Sequence, residues 1–137
     1  MFKTITAVLA VAIAVSSLGC DDSVTGPIGD VKGATWRLES LQRTGSAPVS
    51  PPPGPFTLRF AEDGRLEVRA DCNGCGSTFE LAGSSLSVGV LACTRAFCPS
   101  APFDTEYVTL VDEATTVERD GEALILRGPS GVLRFVR

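Results

Sequence analysis

The sequence predicts a mainly β domain bordering on α+β, an antiparallel sandwich or small barrel of about seven strands with one amphipathic helix. Three observations predict it. Short runs alternate apolar with polar residues, which is the two-residue period of half-buried strands. Turn signals separate those runs at close intervals, among them Asp63-Gly64, Gly83-Ser84, Asp120-Gly121 and Gly128-Pro129-Ser130-Gly131. A single stretch, after Pro99, carries a helical period instead.

In chain order, Thr35 to Leu41 places Trp36 and Leu38 among polar neighbours and reads as the opening strand, with Trp36 as a core anchor. Thr44 to Pro55 strings Gly, Ser and Pro together. Proline has no amide hydrogen to give a sheet, so this stretch is an exposed loop. Phe56 to Phe60 and Leu66 to Ala70 alternate on either side of Ala61-Glu62-Asp63-Gly64 and form a hairpin. Phe79 and Leu81, then Leu86, Val88 and Val90, form a second hairpin around Gly83-Ser84. After Pro99, the residues Phe103, Tyr107, Leu110, Val111 and Ala114 share one helical face, with Asp104, Glu106, Asp112 and Glu113 expected off it. Asp104 and Glu106 fall in the first turns, where the helix dipole favours negative charge. Val117 to Phe135 closes the chain as a meander that buries Leu124, Leu126, Leu133 and Phe135, with Arg119, Arg127, Arg134 and Arg137 as solvated outer charges.

The amino terminus is read differently. Met1-Phe2-Lys3 precedes an uncharged run rich in Ala, Val, Ile and Leu that ends at Ser17-Leu18-Gly19-Cys20. Residues 1–19 are expected to be a secretory signal peptide, too short for a membrane span. The Gly-Cys that follows the apolar run resembles a lipobox, which makes Cys20 the expected lipidation site. Acyl chains there would hold the protein on a membrane at about 0.8 kcal/mol per buried methylene. Residues 20–33 are polar and Gly-rich and read as lipidated terminus and tether, leaving residues 34–137 as one domain. The expected location is the bacterial cell envelope, on the inner or outer membrane, with the domain in the periplasm or outside the cell.

Composition excludes more than it identifies. The net charge is −4, and without Lys3 eleven basic residues stand against sixteen acidic ones. With no basic patch, nucleic acid is not an expected partner. The chain has no histidine, the commonest general base and metal ligand. It has neither a Gly-x-Ser-x-Gly elbow nor a phosphate loop, and Asp71, Glu80, Asp104 and Glu106 show no spacing that marks a catalytic carboxylate pair. No catalytic residue, metal or cofactor is therefore expected.

The remaining cysteines form two clusters, Cys72 with Cys75 and Cys93 with Cys98. An even number in an exported chain implies two disulfides. Zinc is the rival reading, since Cys72-x-x-Cys75-Gly76 has the form of a zinc knuckle. The second cluster has the wrong spacing for a four-cysteine ribbon, and oxidation would remove the thiolates. Redox chemistry would need a positive or helix-terminal setting for the first sulfur, whereas Asp71 precedes it.

The order of features resembles the META domain from about Thr35 to Phe135. The resemblance is carried by Trp36-x-Leu38, by Phe60 with Asp63-Gly64-Arg65, by Cys72-Asn73 followed by Phe79, and by Thr94-Arg95-Ala96-Phe97-Cys98. The chain departs from the pattern with Asp71 where the family usually has Gly, with Phe79 for Tyr, and with Cys75 and Cys93 as extra cysteines. The resemblance implies a cracked β-barrel closed on one side by a helix. It also implies an envelope protein of the kind linked to heat shock and novobiocin tolerance, and it carries over no catalytic residues. It further implies Cys72–Cys98 as the inherited bridge, with Cys75–Cys93 nested inside. Loop entropy favours the nested arrangement over local pairing, because joining Cys72 to Cys98 closes a loop worth about 3.5 kcal/mol. Asn73, Thr94 and Arg95 are then the candidate binding face, with Arg95 expected either to brace the sheet through carbonyls or Asp71, or to present a cation. The expected function is a non-catalytic, membrane-anchored lipoprotein that supports envelope maintenance or stress tolerance by binding a partner protein or a small apolar ligand. The alternative is a zinc- or thiol-dependent envelope enzyme using the four domain cysteines.

Overall fold

Alternation along the chain becomes a closed ring of strands. The computed structural model describes residues 31–137, so the expected signal peptide, Cys20 and most of the expected tether lie outside the described residues. The elements are β1 (Thr35–Arg43), β2 (Phe56–Phe60), β3 (Arg65–Ala70), β4 (Asn73–Ala82), β5 (Ser85–Val88), β6 (Ala92–Cys93), α1 (Phe103–Asp112), β7 (Thr116–Asp120), β8 (Ala123–Gly128) and β9 (Gly131–Val136). Neighbours run β3-β2-β1-β9-β8-β7-β5-β4, and β3 also pairs with β4, which closes an eight-stranded antiparallel barrel. β6 adds to the same edge of β4 that β5 uses farther along, opposite Cys75 and Gly76.

The strand count exceeds expectation because the two-residue β6 is too short to show alternation, and β4 starts earlier than expected because Asn73 to Gly76, without apolar alternation, pairs with β3 from Ala70↔Asn73 onward. The ring is uneven. β5 meets β7 at the single pair Ser85↔Thr116, supported by Leu86 N–H to Thr115 O and Val117 N–H to Ser84 O, each 2.9 Å. That narrow seam is the crack, and α1 packs on the barrel against β3 and β9.

Inward positions carry the core. Phe56, Leu58 and Phe60 of β2 face Leu66, Val68 and Ala70 of β3 through the barrel wall's common inner side, and all are buried. In β1 a bulge between Leu38 and Ser40 resets the phase, so that Trp36, Leu38 and then Leu41 all point inward. Trp36 is fully buried and its Nε1–H donates to Val31 O at 3.0 Å. The guanidinium groups of Arg119 and Arg137 lie 5.1 and 5.0 Å from the ring centroid. These two arginines, expected as solvated charges, therefore cover the indole by cation–π contact. Val31 itself is fully buried, and Gly33 N–H donates to Phe60 O at 2.8 Å. The domain thus begins a few residues before the expected end of the tether.

The helix supplies the plug. Tyr107 is fully buried, edge-on to Phe56 at 5.7 Å, and its hydroxyl donates to Thr57 O at 2.9 Å. Phe103 packs edge-on to Phe56 at 5.1 Å, while Leu110, Val111 and Ala114 continue the buried stripe. Glu106 faces out and forms an ion pair with Arg43. Asp104 does not behave as expected: it is buried. Its place one turn before Val108 and two turns before Val111 sets it beside the apolar stripe rather than opposite it.

Burial raises the Tyr107 phenol far above its ordinary 10.0, because the phenolate would lose its hydration. A raised folded-state value means stability that is complete below about pH 10 and lost as pH rises beyond it. Chemical denaturation between pH 9 and 11 is expected to show the wild type losing up to about 1.4 kcal/mol per pH unit above pH 10 relative to Tyr107→Phe. Equal slopes for the two proteins would contradict the placement of this hydroxyl.

Candidate functional site

The site grows out of the turn between β3 and β4. Asp71 sits there with φ of 56°, a left-handed conformation that suits glycine and, among other residues, the short polar Asp and Asn. Its side chain adds an anchor that glycine lacks, since Oδ2 accepts the Ser100 N–H at 3.2 Å. Cys72 follows and bonds to Cys98, with Cα atoms 5.6 Å apart. Cys75 bonds to Cys93 across paired strands, with Cα atoms 4.1 Å apart. The bridges are nested, and all four sulfurs are bonded to one another.

Between the bridges, Asn73 organises the segment that follows β6. Its Oδ1 accepts the Ala96 N–H at 2.8 Å and the Thr94 hydroxyl at 3.0 Å, and its Nδ2 donates to Ala96 O at 2.9 Å. The side-chain amide thus pairs with both backbone groups of Ala96 as another strand would. Thr94 Oγ1 also accepts the Gly74 N–H at 3.1 Å. Of the three residues expected to form a binding face, Asn73 is buried and Thr94 is engaged in the same network, so both are structural supports. Arg95 is exposed. It braces neither a carbonyl nor Asp71, whose carboxylate holds Ser100 instead; among the described residues its guanidinium has no hydrogen-bond or ion-pair partner.

Arg95 belongs to the rim of a groove of about 850 Å³ between residues 90–97 and the outer side of α1. Ala70 and the Cys75–Cys93 bridge line it between those walls. Val90 and Phe97 stand on the strand side, 92% and 93% exposed, while Val108 and Asp112 stand on the helix side. Asp104 also lines the groove, only 7% exposed, and its Oδ1 is buried with no hydrogen-bond partner among the described residues. The other carboxylates are dispersed: Glu80 is exposed on β4 and Glu106 pairs with Arg43. Among the described residues, no three Cys, His, Asp or Glu side chains are grouped to hold a metal. Sequence reasoning missed Phe97, whose isolation between polar residues and a cysteine gives no period to read. It also missed Asp104, whose only signal was the i, i+4, i+7 relation to Val108 and Val111.

A family model, the META domain, matches residues 29–137. The chain belongs to the META-domain family. Solved structures agree on the fold of this META-domain protein. An NMR structure of a protein from Burkholderia xenovorans has a TM-score of 0.69 at 18% identity, covering 99% of this chain and 98% of the other. A second NMR structure has a TM-score of 0.62 at 22% identity, over 79% of this chain and 92% of the other. The crystal structure of a DUF4847-family protein from Bacteroides vulgatus has a TM-score of 0.57 at 14% identity, over 81% and 96%. No curated protein matches the sequence significantly. The family's Cys-Asn and Thr-Arg-x-x-Cys marks acquire a physical meaning in this META domain: the first cysteine, the Asn and the Thr fasten the segment, and the Arg is left facing solvent.

Asn73→Ala is expected to cost about 2 kcal/mol in urea denaturation, because it removes the hydrogen bonds that this buried amide makes to Ala96 and Thr94. Arg95→Ala is expected to stay within about 0.5 kcal/mol of wild type. A reversed order would mean that Arg95, not Asn73, braces the segment.

Proposed function

We propose that this META-domain protein is a non-catalytic binding module of the bacterial cell envelope, held to a membrane by lipid on Cys20. In this reading it supports envelope maintenance or stress tolerance by receiving a partner protein or a small apolar ligand in the groove between residues 90–97 and α1. The observation that carries the reading is the contrast within one segment. Asn73, Thr94 and two disulfides hold it rigidly, yet it presents Val90, Arg95 and Phe97 to solvent. Large apolar side chains exposed on a fixed frame are a recurring property of interaction surfaces. The lipobox-like Ser17-Leu18-Gly19-Cys20 supports the anchor.

A zinc- or thiol-dependent enzyme would need the domain sulfurs as thiolates. Their mutual bonding favours the clamp over that alternative.

Two measurements test the reading. Cys20→Ala is expected to abolish radioactive palmitate labelling and to move the protein out of the membrane fraction; an unlabelled variant that stays membrane-bound would defeat the anchor. Phe97→Glu is expected to leave stability within about 0.5 kcal/mol of wild type, as an exposed substitution should. In cells lacking the native gene, that variant should fail to restore heat tolerance. Full restoration would remove the groove from the function.

A further inference from the structure

We propose that the groove takes an extended, basic segment of a partner protein, which adds as a strand to the open edge of β6 and sets a Lys or Arg side chain against Asp104. The inference rests on the binding-module reading and names the chemistry of what is bound.

The first support is the backbone. β6 ends the sheet order, with β4 on one side and no named strand on the other. Cys93 faces Cys75 with a Cα separation of 4.1 Å, and the Thr94 N–H donates to Gly74 O at 3.0 Å. That pattern marks Cys93 as a non-hydrogen-bonded position of the antiparallel pair. Its own N–H and C=O therefore point away from β4, as on any sheet edge, where an incoming strand finds its donors and acceptors. The disulfide and the Asn73 network hold this edge in shape before anything binds, which lowers the ordering cost of association.

The second support is charge. Asp104 is more than nine-tenths buried, lines the groove, and has a buried oxygen without a partner. A carboxylate in that position is costly unless a cation or donor meets it. Asp112 adds a second negative charge on the same wall, whereas Arg95, the one basic residue of the lining, stands on the strand side. A bound segment is therefore drawn to place its basic side chain toward the helix and is repelled from doing so toward the loop. Val90 and Phe97 offer apolar contact to its flanking residues. A second copy of this chain fits poorly, because pairing two β6 edges would bring two acidic grooves together.

The test is selection of a random heptapeptide phage library on the full chain purified in detergent, followed by fluorescence polarisation with the most enriched peptide. Enriched peptides are expected to share one Lys or Arg position, with β-branched or aromatic residues two places away on either side. Replacing that basic residue by norleucine is expected to weaken binding at least about tenfold, the effect of losing one well-formed ion pair. Asp104→Asn should abolish the preference for Lys over norleucine. N-methylation should abolish binding at the amides facing β6 and leave it intact at alternate ones. Selection without enrichment, enrichment without a shared basic position, an unchanged preference in Asp104→Asn, or indifference to N-methylation would each overturn the proposal. If the proposal fails while Phe97→Glu still loses heat tolerance, only the strand inference falls. If Phe97→Glu is fully active, the binding-module reading falls with it.

Discussion

Much of this molecule follows from the demand that β4 makes on its neighbours. Its first half pairs with β3 to close the barrel, and its second half continues past the end of β3 to pair with β5. The edge opposite β3 is consequently left for another partner at Cys75 and Gly76, and β6 fills it. β6 leaves the ring there instead of joining β7, so β5 and β7 must complete the circle through a single residue pair. Elsewhere on the ring α1 packs against β3 and β9 and wedges Tyr107 between Phe56 and Phe135. The groove is what remains between a strand that left the barrel and a helix that entered it.

The cysteine-rich segment then reads as a device for holding a short irregular stretch without the help of a sheet. Residues 94–98 make no strand, and a side chain rather than a neighbouring strand gives the Ala96 backbone its partners. The Asn73 amide supplies one donor and one acceptor to Ala96, the Thr94 hydroxyl links Asn73 to Gly74, and the Cys72–Cys98 bridge closes the end. Asp71 completes the arrangement by accepting a left-handed turn and capturing Ser100. Its replacement of the family's glycine is thus an exchange of conformational ease for a hydrogen bond.

Patterning in the sequence made most of the barrel legible because two-residue alternation and Asp-Gly turns are local signals, and β2, β3, β5, β7, β8 and β9 follow them. The helix was equally readable from its apolar stripe. Harder to see was whatever depended on contact between distant segments. The strand character of Asn73 to Gly76 comes from pairing with β3 rather than from its own glycines. Arg119 and Arg137 carry no mark of their stacking on Trp36, since that contact joins residues far apart in the chain. Spacing sets Asp104 off the apolar face, and the tertiary position of α1 buries it nonetheless. The candidate site was legible in its cysteines, whereas Asn73 and Thr94, expected on the binding face, fasten the segment instead. The surface those fastenings present was not legible.

The pairing of β1 with β9 has a kinetic side. It joins residues near opposite ends of the domain, from Arg37↔Val136 to Arg43↔Gly131. Closing so long a loop carries a large entropic cost, and nothing repays it until the last strand is in place. The clamp from Asp71 to Ser100 spans far fewer residues and needs neither β1 nor β9 for its bridges. The middle of the chain can therefore be fastened before its last strand is in place, with barrel closure as the slow final event.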